Sequence, residues 1–139
     1  MRKFKFLENI ATADSAFEAY GKTLEETFEN SALALFEIMT DTNKVKPLLN
    51  KELKLKAHDL KSLLYDFLER LLLFQDTENL LFSKFNVKKI EKIKDSYFLE
   101  AELKGDKLKK SHEKRNMVKA VTYFGMEIED NRAKVTVDI

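Results

Sequence analysis

Hydrophobic and polar residues change rhythm several times along this 139-residue chain, and each change marks an element. Phe4 and Phe6 flank Lys5 in the alternation of a strand, and Ala16-Phe17-Glu18-Ala19-Tyr20 repeats it after the turn-like Ala11-Thr12-Ala13-Asp14-Ser15. Gly21 ends that run. Thr23 with Glu26 three residues on forms a capping box, so a helix begins there; Leu24, Phe28, Ala32, Leu35 and Met39 keep helical spacing until Asp41-Thr42-Asn43. Beyond Pro47, Leu53 and Leu55 alternate with Lys54 and Lys56 between Glu52 and Ala57, the pattern of a strand with one solvated face. Asp59 then caps a second helix. Its inner stripe is Leu60, Leu64, Phe67, Leu71 and Phe74; Leu63, Leu68 and Leu72 widen it until Ser62, Asp66, Glu69 and Arg70 mark the polar side. A stripe this wide suits either a heavily covered helix or a partner surface, and long apolar stripes usually pack internally.

The second half reads mainly as strands. Phe82 to Ile93 carries Phe85, Val87 and Ile90, and Tyr97 to Leu103 carries Phe98, Leu99 and Ala101, with Lys94-Asp95-Ser96 as the turn between them. Gly105 to Asn116 is polar and basic and reads as a loop, after which Met117 to Glu129 resumes strand character. Asp130-Asn131 makes a tight turn into the closing strand, where Ala133, Val135, Val137 and Ile139 alternate with Lys134, Thr136 and Asp138, the period of a half-buried strand with its polar set facing away from the core. The expected architecture is an α+β fold: antiparallel β-sheet structure with two main helices, in one compact domain spanning residues 1–139. No repeat, low-complexity tract or linker divides it.

Composition narrows the chemistry. Charged residues make up 35% of the chain, yet the formal net charge is +1, which does not fit a strongly basic nucleic-acid protein. There is no Cys, so no disulfide, thiol nucleophile or thiolate site, and His58 and His112, both read as surface residues, leave little for zinc. Any metal would be held by oxygen. No stretch approaches a membrane span and the N-terminus leads into alternation rather than a signal peptide, so the expected location is cytoplasmic, with no membrane partner. Gly-rich phosphate loops, Gly-x-Ser-x-Gly elbows and His-rich metal motifs are all missing.

Two places remain as candidate sites. The closing strand, if paired to its last residue, sets Asp138 beside the carboxylate of Ile139, and a third carboxylate from Asp14 would complete an oxygen set for a hard cation. Three like charges brought together repel unless a cation neutralises them. On pattern alone, Asp138 reads equally as a solvated strand residue and Asp14 as a turn former. The other place is the basic run from Lys107 to Arg115, continued by Lys119, which suits phosphates or an acidic partner as well as plain solvation. It lacks interleaved aromatics, which argues against a stacking platform for single-stranded nucleic acid.

Four segments, YGKTLEETFENSALALFEIMTD (Tyr20 to Asp41), DLKSLLYDFLERLLLFQDTENLLFSKF (Asp59 to Phe85), VKAVTYFGMEIE (Val118 to Glu129) and VTVDI (Val135 to Ile139), together resemble the archease family, in the family's order and over nearly the whole chain. The resemblance implies an accessory protein rather than a stand-alone enzyme. Archeases assist the tRNA-splicing RNA ligase, which joins a 2',3'-cyclic phosphate or 3'-phosphate end to a 5'-hydroxyl end. They promote guanylylation of the ligase's active-site histidine by GTP and so allow multiple turnover. The family fold is α+β with a divalent metal site, commonly assigned to calcium; tRNA would be an indirect partner, through the ligase.

Carried over by position, the family's loop aspartate matches Asp14, its terminal pair matches Asp138 and Ile139, and the lysine of its Val-Lys-Ala-Val-Thr-Tyr run matches Lys119, a contact for the ligase or a phosphate. This chain departs from the family pattern twice. Where many members have His-Thr-Ala-Asp, it has Asn9-Ile10-Ala11 before Thr12, with two extra residues and no His; where many have His after the Thr-Tyr pair, it has Phe124. Neither histidine role carries over, and of the metal models an all-oxygen site survives. The rival reading is an RNA-binding or chaperone-like module acting in tRNA processing, with a metal-dependent hydrolase third.

Overall fold

In the computed structural model, which describes residues 2–8 and 13–139, both helices begin at their capping signals. Helix α1 (Leu24–Met39) follows Thr23, whose Oγ1 accepts from the Glu26 N–H at 3.1 Å, while Glu26 Oε1 reaches back to the Lys22 N–H at 2.9 Å. Helix α2 (Leu60–Glu78) follows Asp59, whose carboxylate accepts from the Ser62 N–H at 2.7 Å. It stops at Asn79 in the left-handed conformation, φ 54°.

Seven strands among the described residues form two antiparallel sheets. The first runs β1-β2-β7-β6, from β1 (Phe4–Leu7), β2 (Asp14–Tyr20), β6 (Ala120–Ile128) and β7 (Arg132–Asp138). The second runs β3-β5-β4, from β3 (Leu49–Ala57), β4 (Leu80–Ile93) and β5 (Ser96–Lys107). Helix α1 packs on β1, β2 and β7 of the first sheet and on β4 of the second; α2 packs on β6 of the first and on β3, β4 and β5 of the second. The helices therefore lie between the sheets. That placement explains why α1 is buried nearly all round, with Thr27, Phe28, Ser31, Ala32, Leu35 and Phe36 inaccessible. The wide stripe of α2 is likewise core: Leu63, Leu64, Phe67, Leu68, Leu71 and Leu72 are buried.

Helix carboxylates close the open strand edges. Glu29 and Glu25 of α1 accept from the Val87 and Ile90 N–H groups of edge strand β4 at 2.8 and 3.2 Å, and Glu69 of α2 accepts from the Val121 N–H of edge strand β6 at 2.9 Å. These groups would otherwise be free to template pairing with another chain.

Four sequence expectations need correction. Asp14 is the first residue of β2, not part of a loop, because β7 supplies it with a ladder partner. Strand β5 runs to Lys107 through Gly105, which is there because a Cβ would lie 1.8 Å from the Leu81 carbonyl oxygen. Thr136, read as outward and polar, is buried because β2 and β6 flank it with Ala16 and Thr122. His112, read as a surface residue, is 7% exposed and its Nδ1 accepts from the Lys109 N–H at 3.0 Å. No helix of the described residues is long and apolar enough to cross a membrane.

Candidate functional site

Asp14 opens β2 and Asp138 closes β7, and the two are direct partners in the ladder. The Ile139 N–H donates to the Ala13 carbonyl at 2.9 Å, which makes 13 and 139 the hydrogen-bonded pair. Asp14 and Asp138 are then the non-hydrogen-bonded pair, where strands approach to about 4.5 Å between Cα atoms and side chains on one face lie closest. The face is the one turned away from the helices, shared with Glu18 and Lys134. On the other flank, Ala120 pairs with Asp138, and the Lys119 N–H donates to the Asp138 carbonyl at 2.8 Å. The backbone of Asp138 is thus pinned from both sides, and the sequence-predicted Asp14, Asp138, Ile139 and Lys119 meet at one end of the first sheet.

Charge at this end is unbalanced. Further along the same face, Glu18 is surrounded by donors: Tyr20 Oη at 2.9 Å, Lys5 at 3.3 Å and Arg132 at 2.8 Å. The Tyr20 hydrogen bond, with Lys5 and Arg132, holds the Glu18 carboxyl below its ordinary value of 4.5 despite its burial. Among the described residues no basic side chain pairs with Asp14 or Asp138 in the same way. Nor do three His, Cys, Asp or Glu side chains gather there or elsewhere among the described residues. What the ladder provides is two half-buried carboxylates, to which the Ile139 carboxylate would add a third oxygen donor. An all-oxygen, acidic set fits calcium or magnesium and not zinc.

The side chain of Lys119 is exposed and lines a groove with Glu69, Leu72 and Leu73 of α2 and with Leu108 and Met117. Phe124, where the resemblance sets the second departure from the family pattern, is 76% exposed at the place where β6 loses register with β7, between Thr122 and Glu127. Next to it, Tyr123 stacks on Tyr65 at 4.3 Å, a pairing 58 residues apart that no sequence spacing announces. The other departure, Asn9 to Thr12, lies outside the described residues.

The basic run has a structural task. Arg115 and Asn116 donate backbone N–H groups to Met39 and Ile38 carbonyls at 3.0 and 3.1 Å, and Arg115 Nη1 donates to the Glu37 carbonyl at 2.8 Å. With the Thr40 N–H on the Phe36 carbonyl, all four terminal carbonyls of α1 are satisfied. Arg115 also pairs with Glu37 and Glu113, and Lys109 with Asp106 at 2.8 Å. Sequence reasoning missed a different basic surface: Lys3, Lys44, Lys46 and Lys84 share one cleft, but they come from separate segments with no common motif.

Fold and site define an α+β domain in which two antiparallel sheets enclose two helices and one sheet ends in an acidic cross-strand pair. The profile of the Archease protein family matches residues 4–139, and the chain belongs to that family. It is 46% identical over 143 residues to the archease of Methanothermobacter thermautotrophicus, covering all of both chains. To that of Sulfurisphaera tokodaii it is 47% identical over 131 residues, covering 94% of this chain and 91% of the other. The solution structure of Protein 1598 from Methanobacterium thermoautotrophicum superposes over the full length of both chains with a TM-score of 0.86 at 44% identity. The crystal structure of an archease from Thermotoga maritima, described as a possible chaperone, shares the fold at 19% identity, with a TM-score of 0.57 over 93% of each chain.

Proposed function

We propose that this chain is a non-catalytic activator of the tRNA-splicing RNA ligase, promoting guanylylation of the ligase by GTP and its multiple turnover. Family membership supports the reading, and the observation that carries it to particular residues is the ladder pairing of Asp14 with Asp138. These two carboxylates, with that of Ile139, would hold a divalent cation, calcium by the family's usual assignment. Bound there, it supplies positive charge to phosphate oxygens of GTP or to the docking surface. The chain's own part is positional. Strands β2 and β6 fix Asp138 between them through the Ile139 and Lys119 backbone bonds, and the exposed Lys119 ammonium is free to meet the ligase or a phosphate. tRNA is met through the ligase. The test is a reconstituted guanylylation assay under multiple turnover, with wild-type chain, Asp14→Asn and Asp138→Asn. Wild type accelerates turnover and both variants do not; no effect of stoichiometric wild type would sink the proposal.

The RNA-binding or chaperone-like alternative has less support, because Arg115 and Lys109 of the basic run are engaged with protein carboxylates. Direct binding to tRNA without ligase, falling steeply with salt, would favour it.

A further inference from the structure

Between α1, the start of β1, the segment 42–47 and β4 lies a cleft of about 880 Å³. That is the size of a small-ligand site and far larger than a single inorganic anion needs. Lys3, Lys44, Lys46 and Lys84 stand around it, each exposed and none paired with a carboxylate among the described residues. Two glutamates also line it, but both are engaged. Glu37 is held by Arg115 at 2.8 Å and by Thr42 Oγ1 at 2.6 Å, and Glu29 accepts from the Val87 N–H. With four lysines against two glutamates, one of which is paired with Arg115, the cleft presents a surplus of cationic donors. Its walls are not uniformly polar: Phe4 and Phe85, both half-buried, offer apolar surface between the lysines. At the bulge where β4 slips register between Phe82 and Lys84, Ser83 also lines the cleft, and its hydroxyl oxygen is buried with no hydrogen-bond partner.

We propose that this cleft binds a nucleoside phosphate, its phosphates met by Lys44, Lys46, Lys84 and Lys3 and its base or ribose by the exposed flanks of Phe4 and Phe85. Lysines supply point charges for phosphate oxygens, and aromatic surface suits a base of any identity. The ligand is either a free nucleotide or the end of an RNA strand, which share this chemistry. The cleft is lined by none of the residues at the Asp14–Asp138 end, so the two sites can be separated by substitution.

The experiment is calorimetric titration of the whole chain with ATP, with a short oligoribonucleotide ending in a 3'-phosphate, and with inorganic phosphate. Binding of ATP or of the oligonucleotide with Kd below about 1 mM is expected, and whichever binds more tightly identifies the source. The paired charge reversal Lys44→Glu with Lys84→Glu, on exposed positions that leave the core intact, should weaken binding at least tenfold, while Asp14→Asn leaves it unchanged. No binding of either ligand, equal competition by inorganic phosphate, or an affinity unmoved by the charge reversal would overturn the proposal.

Discussion

Asp14 and Asp138 face each other across β2 and β7 at a non-hydrogen-bonded position, with no basic side chain among the described residues paired to either. Opposed like charges at this spacing destabilise a sheet by about 0.2–1 kcal/mol. A metal-free chain should therefore gain stability when one charge is removed: Asp14→Asn is expected to raise the melting temperature by about 1–4 °C in EDTA. Calcium at about 100 times its Kd should stabilise the wild type by about 2.7 kcal/mol and the variant far less. Paired melting curves with and without calcium check both signs. Equal calcium stabilisation of the two proteins would remove the metal reading.

Ile139 binds the ladder through its N–H, not its carboxylate, so the two roles can be separated. Appending a few residues after Ile139 keeps the bond to Ala13 and replaces the carboxylate by a peptide group. The expected result is a melting temperature in EDTA within about 2 °C of wild type and a calcium affinity at least tenfold weaker. A calcium titration of the extended chain that matches wild type would show the group is not a ligand.

What could be read in advance depended on how far apart the deciding residues lie. Thr23 with Glu26, and Asp59 with Ser62, are local devices, so both helix starts were legible. The α+β class and the closing strand followed from periodicities that also need only a few residues; that β2 flanks this strand on its other side did not. Asp14 as a strand residue was not, because its partner is 124 positions away along the chain, by 138 − 14, and only the ladder defines it. For the same reason Gly105 looked like the start of a loop when it is a close approach to Leu81, and Arg115 looked like part of a solvated loop when it closes α1. The candidate site came from the resemblance more than from spacing; the lysine cleft, drawn from separate segments, had no signal of either kind.

Arg115→Ala should reveal the capping role of the basic run. It removes the side-chain donor to the Glu37 carbonyl and the ion pair to the Glu37 carboxylate, leaving the end of a buried helix with one carbonyl unsatisfied. The expected loss is about 1–2 kcal/mol, read by urea denaturation. Lys110→Ala, in the same run but paired with no carboxylate among the described residues, should change stability by less than about 0.5 kcal/mol. Equal effects would mean the run acts only through its net charge.

Glu29 gives the fold a pH dependence with a definite sign. Burial raises its pKa above the ordinary 4.5, and the Val87 N–H bond offsets only part of that. With the folded value raised, the native state holds the extra proton between 4.5 and that value. The stabilising contribution is full below that range and is lost as pH rises through it. Glu29→Gln keeps an acceptor for Val87 without the buried charge. It should melt higher than wild type at pH 7, and the advantage should vanish near pH 4. A gain that persists unchanged at low pH would place its origin elsewhere.

Gly105 and Gly125 separate two kinds of glycine requirement. A Cβ on Gly105 would lie 1.8 Å from the Leu81 oxygen and 2.7 Å from the Phe82 Cα, both backbone atoms that cannot rotate away. Accommodating it means separating β4 from β5 where Phe82, nearly inaccessible, packs between Phe36 and Phe74. Gly125 has open space around its Cβ position and only a positive φ of 63°. Gly125→Ala should then cost about 1–2 kcal/mol, the penalty of a left-handed residue. Gly105→Ala should cost more than about 4 kcal/mol, in the range reserved for core disruption. Urea denaturation of the two variants orders them, and comparable losses would mean that the β4–β5 contact yields more readily than its backbone distances imply.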